Sequence, residues 1–168
     1  MLDPLADRLR FQRIVKVILQ HEGGYVNDTA DPGGETNYGI SKRTYPHLDI
    51  KGLTEKQASD IYYNDWYLPL HLNRIDDEAL ATKVLDTCVN LGKKTGMRLF
   101  QQSLKERGHN VTVSGIVSNA TTEAANRANV DRLLAVMRDK QAAHYRALIA
   151  NNPALEKYKN GWMKRAYS

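Results

Sequence analysis

The sequence of 168 residues contains one cysteine and has no long apolar run. With only Cys88, the chain cannot form an intramolecular disulfide, so the fold does not depend on an oxidising compartment. A bilayer span needs about 20 apolar residues, whereas the apolar stretch 14–19 is short and interrupted by Lys16. The mixed charges at the N-terminus also differ from those of a secretory signal peptide. We therefore expect neither a signal peptide nor a transmembrane segment, and a protein that is made in a cytoplasm.

The charges are distributed unevenly along the chain. Residues 1–84 contain 10 basic and 13 acidic side chains, whereas residues 85–168 contain 14 basic and 6 acidic ones. Two interpretations remain open: a solvated basic helical face, or attraction to a polyanion such as an anionic cell surface or nucleic acid. Because no helix-turn-helix or RNA-binding signature accompanies the basic half, we expect no nucleic acid partner.

Apolar residues at helical spacing dominate the sequence and predict a mostly α (α+β) fold. The stretch 25–41 is rich in Gly, Asp, Asn and Pro and predicts a long functional loop or short hairpin. Residues 111–118 are β-prone and form a predicted connector. We expect one lobe at 1–108 and a helical lobe at 109–168, packed into one globular unit. The predicted helices cover 4–21, 55–66, 77–91, 95–107 and 121–150, followed by an amphipathic segment after residue 153.

Glu22 extends the apolar stripe of the first helix. It follows Leu19 by three residues and Ile18 by four, so it lies on the face that is turned toward the core. Burial of a carboxyl group without a cationic partner disfavours its charged form, as a general acid near neutral pH requires. Gly23 and Gly24 are expected to end the helix and to leave open space beside the carboxyl group. The pattern predicts an acid site at residue 22.

Further carboxylates follow in the predicted loop, at Asp28, Asp31 and Glu35, with Thr36 beside them. A buried carboxylic acid paired with a second, solvated carboxylate is the arrangement that glycosidases use to cleave a sugar–sugar bond. The alternative is that the aspartates serve as turn residues, because the sequence DPGG at 31–34 is turn chemistry in its own right.

The segments HEGGY at 21–25 and DPGGETNYGI at 31–40 resemble the N-terminal signature of glycoside hydrolase family 108. That family consists of N-acetylmuramidases, mostly phage endolysins, with a lysozyme-like fold. Asp86 and Asn90 resemble its second conserved block, and the C-terminal half resembles its peptidoglycan-binding segment. The order of Glu22, Asp31 and Thr36 is also similar to the Glu–Asp–Thr order of T4-type phage lysozymes.

The resemblance implies that Glu22 is the catalytic acid. We favour Asp31 as the second carboxylate, with Asp28 as the alternative, and Thr36 as the residue that holds water for attack from the opposite face. Amide groups suit sugar hydroxyl and acetamido groups, and flat aromatic rings suit pyranose faces, although each aromatic side chain could instead serve core packing. The expected substrate-binding residues are Tyr25, Asp28, Asn37, Tyr38, Trp66 and Asn90.

The expected activity is hydrolysis of the β-1,4 bond between N-acetylmuramic acid and N-acetylglucosamine, causing host lysis, without cofactor or metal. By the resemblance, the protein is a monomer that waits in the host cytoplasm until another protein disrupts the membrane. Its partners are peptidoglycan and, through the basic half, anionic lipopolysaccharide. A non-catalytic binder of cell wall or nucleic acid is the alternative. A zinc peptidase is disfavoured because the H-E-x-x-H motif that begins at His21 has Tyr25 in place of the second histidine.

Overall fold

A computed structural model of the chain describes residues 3–29 and 34–168. The described chain is mostly α-helical with one small three-stranded sheet, as predicted, and has the α-rich character of a lysozyme-like fold. It divides into two compact units, Met1–Arg74 and Ile75–Ser168. Within the described ranges, no helix combines the length and apolarity that crossing a bilayer requires.

In the first unit, helix α1 runs from Pro4 to Glu22 because the sequence supplies a cap at each end. Asp3 accepts hydrogen bonds from two backbone N–H groups of the first turn. At the other end Gly23 has a φ of 72°, and its N–H donates to the carbonyl of Leu19 at 3.0 Å. The helix buries one stripe, formed by Asp7, Arg10, Phe11, Ile14, Val15 and Ile18.

The described residues of the stretch 25–41, where a loop or hairpin was predicted, contain three short antiparallel strands in which the middle strand pairs with both others. Tyr38 and Gly39 connect the second and third strands, with φ values of 53° and 78°. Two successive positive φ values are characteristic of a type I′ hairpin turn. The strands are β1 (Val26–Asn27), β2 (Glu35–Asn37) and β3 (Ile40–Ser41).

Helix α2, Glu55–Tyr62, begins with the capping box that Thr54, followed three residues later by Gln57, predicts in the sequence. The backbone N–H of Gln57 donates to Thr54 Oγ1 at 3.2 Å, and Gln57 Oε1 accepts from the Thr54 N–H at 2.9 Å. The helix continues as a π-helical turn over Tyr63–Tyr67, and a short 3-10 turn over Leu72–Arg74 ends the unit. The predicted helix is therefore present, with a wider last turn.

A buried polar cluster joins α1 to the π-helical turn. Asp7 is 6% exposed and accepts from the hydroxyl groups of Tyr63 at 2.9 Å and Tyr67 at 2.8 Å. Arg10, 5% exposed, donates to the Tyr67 hydroxyl at 3.0 Å and to the carbonyl of Leu72 at 3.2 Å. The cluster satisfies two buried charged groups within one unit, which is the condition for tolerating them there.

In the second unit, α3 (Glu78–Leu91) and α4 (Lys93–Glu106) are in close contact. Asp77, and not Asp76, caps α3 by accepting from the Leu80 N–H at 2.8 Å. A Cβ atom at Gly96 would lie 2.6 Å from the Cα of Cys88, so only glycine allows this approach. Cys88 is fully buried, which confirms it as a core residue.

The connector 111–118, predicted as β-prone, contains no strand. The side chain of Gln101 supplies the hydrogen bonds that a strand partner would provide. Its Oε1 accepts from the N–H groups of Ser114 and Gly115 at 3.0 and 2.8 Å, and its Nε2 donates to the carbonyl of Ile116 at 2.9 Å. Because the buried amide of Gln101 forms hydrogen bonds with these three backbone groups, they do not need a partner strand.

The single helix predicted over 121–150 is wrong, since the structure has two: α5 (Asn119–Arg127) and α6 (Val130–Asn151). Ala128 is extended, with a ψ of 153°, and the side chain of Asn129 accepts from the Arg132 N–H at 3.1 Å. An asparagine side chain that competes for backbone N–H groups favours a new helix start over continuation.

The chain ends in a 3-10 turn, Pro153–Tyr158, and helix α7, Lys159–Ala166. Lys83, 5% exposed, donates from Nζ to the carbonyl of Ala166 at 2.6 Å, and Arg165 forms an ion pair with Asp86 at 2.9 Å. Burial lowers the pKa of the Lys83 ammonium group to about 8, although the charge of Asp86 opposes this shift.

The buried lysine should make stability depend on pH. The folded pKa of Lys83 is about 8 and its ordinary value 10.5, so the unfolded chain binds more protons between these values. Its contribution to the free energy of unfolding therefore rises with pH across that window. From pH 7 to pH 10, wild type should gain about 2 kcal/mol relative to Lys83→Met in urea unfolding.

Lys157→Met, at an exposed lysine, is the matched control and should show the wild-type pH dependence. A stability difference between wild type and Lys83→Met that stays constant from pH 7 to pH 10 would contradict the assignment.

Candidate active site

Glu22 is the last residue of α1 and is partly buried. The chain turns away directly after it through Gly23 and Gly24. A Cβ atom added at either glycine would meet no atom within 4 Å, so the space on this side of the helix end is open. Glu22 is thus at the packed end of the helix, and the two glycines directly after it are surrounded by open space.

The turn between β2 and β3 packs directly on the Glu22 side chain. A Cβ atom at Gly39 would lie 2.7 Å from Cγ and 2.9 Å from Cδ of Glu22, and 2.5 Å from the hydroxyl oxygen of Tyr62. Position 39 therefore requires glycine twice, for its positive φ and for this close approach. This packing restrains the Glu22 side chain.

Tyr62 holds this turn in place. It is fully buried at the end of α2, and its hydroxyl donates to the carbonyl of Tyr38 at 2.7 Å. The sequence suggested only a packing role for Tyr62. A signal for its second role was present, since a tyrosine on the apolar face of a helix needs a hydrogen-bond partner for its hydroxyl.

Trp66 lies beside Tyr62, and Tyr45 interacts with Trp66 and with its neighbour Asp65. The ring of Trp66 meets that of Tyr62 edge-on, with centroids 6.1 Å apart, and Trp66 is partly buried. The hydroxyl of Tyr45 donates to Asp65 at 2.8 Å. Burial, followed by the Asp65 carboxylate, raises the pKa of Tyr45 to about 12. These contacts fix the orientation of the indole that was expected to bind sugar.

Tyr25 follows the two glycines and is 39% exposed. Its hydroxyl donates to Glu35 Oε1 at 3.0 Å, and the Nζ of Lys51 lies 6.0 Å from its ring centroid. The hydrogen bond restrains an otherwise mobile ring. An exposed and restrained aromatic face of this kind is suited to a pyranose ring.

The remaining candidates of the sheet differ in their surroundings. Asp28 is exposed just after β1, while Asp31 lies outside the described residues. Thr36 is partly buried in the middle strand, and by strand alternation its side chain lies on the face opposite Asn37. Asn37 is buried, and its Nδ2 donates to the Ile50 carbonyl at 3.0 Å. Asn37 therefore supports the fold of this loop, whereas a sugar contact was expected of it.

Asn90 belongs to the second unit, one residue before the end of α3, and is partly buried. Its Oδ1 accepts from the hydroxyl of Tyr145, which accepts in turn from Nε2 of Gln141 at 3.0 Å. In the described part of the chain, no group of three or more His, Cys, Asp or Glu side chains is placed to hold a metal ion.

Two family models together match almost the whole chain. Residues 15–92 match Glycosyl hydrolase 108, and residues 95–167 match the Predicted Peptidoglycan domain. Residues 15–92 are therefore similar to glycosyl hydrolase family 108, as the sequence signature predicted. Both Glu22 and Asn90 lie within the first match, which crosses the boundary between the two compact units.

The fold is also found in a known structure. The structure of Brucella abortus SagA matches with a TM-score of 0.76 and 22% sequence identity, over 95% of this chain and 90% of that chain. At this identity the likeness concerns the fold. No curated protein matches the sequence significantly.

The two family matches identify the chain as a glycoside hydrolase that acts on peptidoglycan. They favour the enzyme over the non-catalytic binder that the basic half had left open. The two family matches meet between residues 92 and 95, and the two compact units meet after residue 74. Both positions come before the lobe boundary that was expected at residue 108.

Gly39→Ala should reduce peptidoglycan hydrolysis by about 10²-fold, because the new methyl group displaces the side chain of Glu22, the expected catalytic acid, and small misplacements of a reacting group are costly. The measurement is the rate of release of soluble fragments from purified sacculi, with the melting temperature recorded alongside.

Gly34→Ala is the matched control. Gly34 also has a positive φ, 68°, but a Cβ atom there meets nothing within 4 Å. Gly34→Ala should lose about 1 kcal/mol of folding stability to backbone strain and keep the wild-type rate of hydrolysis. Equal rates for both variants would show that the turn does not position Glu22.

Proposed function

We propose that the chain is an N-acetylmuramidase that hydrolyses the β-1,4 bond between N-acetylmuramic acid and N-acetylglucosamine. The position of Glu22 carries the proposal: its side chain packs against the turn at Gly39, and the two glycines that follow it have no neighbouring atom within 4 Å of an added Cβ. A general acid that protonates a glycosidic oxygen needs such a site, since it must be restrained and still reach the substrate.

In this mechanism Glu22 protonates the leaving oxygen, and a second carboxylate assists attack on the oxocarbenium-like centre. Asp31 is the proposed second carboxylate, with Asp28 as the alternative. Thr36 holds the attacking water on the opposite face, so the configuration is inverted. Tyr25, Tyr38 and Trp66 offer ring faces to the sugars, and the 39% exposure of Tyr25 supports its part in this.

Glu22→Gln should lower the turnover rate by about 10²- to 10⁴-fold, because the amide cannot donate a proton to the leaving oxygen. Glu55→Gln, in the exposed first turn of α2, is the matched control and should keep the wild-type rate. Clearance of sacculi by folded Glu22→Gln at the wild-type rate would refute the mechanism.

The products identify the bond. After borohydride reduction, a muramidase yields the sugar alcohol of N-acetylmuramic acid at the new chain end. The sugar alcohol of N-acetylglucosamine, or an anhydro end group, would point to other chemistry. In the same assay Asp31→Asn should lose more activity than Asp28→Asn, and the reverse order would transfer the role to Asp28.

The proposed biological role is that of an endolysin. It acts as a monomer, without cofactor, and is held in the host cytoplasm until a separate protein disrupts the membrane. The absence of a membrane-spanning helix among the described residues is compatible with this order of events.

We also propose that the basic half binds anionic envelope lipids such as lipopolysaccharide. The contacts restrict which cations take part. Arg165, expected to contribute, is 12% exposed and paired with Asp86 at 2.9 Å, and Lys159 is paired with Glu156 at 3.2 Å. Lys157 and Lys164 are exposed, and no ion pair engages either of them within the described chain. These two lysines are the proposed contact residues.

The double variant Lys157→Gln/Lys164→Gln should bind lipopolysaccharide vesicles several-fold more weakly than wild type at low salt, because two unpaired charges are lost. The difference should vanish when ionic strength is raised from about 0.01 M to about 1 M, which shortens the screening length about tenfold.

Lys16→Gln/Arg43→Gln removes the same charge from two exposed positions in the acidic half and is the control. Equal weakening by both pairs would indicate that only net charge matters. Adsorption that does not respond to salt would refute the electrostatic attraction.

A further inference from the structure

A buried relay of hydrogen bonds ends at the partly exposed side chain of Asn90. Gln141 and Tyr145 are 0% and 1% exposed, and the Tyr145 ring stacks on Trp162 with centroids 5.0 Å apart. Gln141 Nε2 donates to the Tyr145 hydroxyl at 3.0 Å, and that hydroxyl donates to Asn90 Oδ1. No hydrogen bond to Gln141 Oε1 is formed within the described chain.

Donors and acceptors follow one order along the relay, and this order fixes which atom of the Asn90 amide is turned toward Tyr145. A phenol has one proton, and its oxygen already accepts from Gln141, so the proton is directed to Asn90 Oδ1. The oxygen of the Asn90 amide is therefore engaged on the buried side. What Asn90 can offer to a ligand is Nδ2, which donates hydrogen bonds and accepts none.

We propose that Asn90 Nδ2 binds the acetamido carbonyl of an N-acetylhexosamine, with Tyr145 and Gln141 as positioning residues. This rests on the proposed function, since it assigns a group of that substrate. A carbonyl oxygen only accepts, so it matches a donor-only group, whereas the ammonium group of a de-N-acetylated sugar also only donates and is rejected.

The family match supports a place for Asn90 in the hydrolase. The match to Glycosyl hydrolase 108 ends at residue 92 and includes α3 up to Asn90, whereas the match to the Predicted Peptidoglycan domain begins at 95. Tyr145 and Gln141 belong to the second match. The relay therefore connects the two family segments within one compact unit, Ile75–Ser168.

Asn90→Asp tests the proposal with a near-isosteric change. Aspartate still accepts from Tyr145 but has no donor to offer, and its charge attracts an ammonium group. In Glu22→Gln protein, calorimetry should show that Asn90→Asp weakens binding of N-acetylated peptidoglycan oligosaccharides about five- to tenfold. Binding of the de-N-acetylated oligosaccharides should become tighter. Asn151→Asp, an exposed change of equal charge, should alter neither.

Tyr145→Phe removes the hydroxyl and keeps the stacked ring, so it should weaken binding of the N-acetylated ligand alone. Tyr158→Phe, at the exposed ring stacked on the other side of Trp162, should have no effect. Equal changes for both ligands in Asn90→Asp would overturn the proposal. An unchanged Tyr145→Phe would overturn the positioning role. Because binding is measured without catalysis, these results stand apart from failure of the Glu22 mechanism.

Discussion

One buried carboxylate, Asp7, fixes the direction of α1. It accepts from two tyrosine hydroxyls of the π-helical turn, while Arg10 joins one of them to the carbonyl of Leu72. Leaving one such buried partner unsatisfied costs about 1–3 kcal/mol. Glu22 lies fifteen residues along the same helix, a distance of about 22 Å at the rise of an α-helix. A small change in the angle of the helix at Asp7 therefore becomes a larger displacement of the Glu22 carboxyl group, and in the proposed mechanism such displacements lower the rate.

A second set of contacts restrains the C-terminal end of α1. Tyr62 precedes the π-helical turn and holds the carbonyl of Tyr38, so the next residue, Gly39, packs on the Glu22 side chain. The same stretch of sequence, 62–67, thus restrains α1 near both of its ends. Catalytic groups are best positioned by regular elements whose side chains are locked by packing and hydrogen bonds, and helix α1 provides such an element for Glu22, the proposed acid.

The sequence predicted the features that depend on neighbours in the chain. The capping box of α2, the Asp77 cap and the helix end at Gly23 follow from residues one to four positions apart. Features that depend on distant partners were not predictable. The residues around Arg165 predict an exposed cation, whereas its actual partner, Asp86, is 79 positions away in the chain. Asn37 has the chemistry of a sugar ligand, yet its donors are used by a loop thirteen residues further on.

The same distinction applies to the basic half. Net charge is a sum that ion pairing leaves unchanged, but pairing decides which side chains can turn toward a ligand. Arg165, Lys140 and Lys159 are each held by a carboxylate. The more exposed pairs, those of Lys140 and Lys159, add little stability, yet all three pairs restrain the cation that forms them. Long-range electrostatic attraction therefore depends on the net charge of the basic half. Direct contact with a phosphate group depends on which cations are not held in ion pairs. Moving a charge to another position without changing the net charge therefore affects direct contact but leaves long-range attraction unchanged.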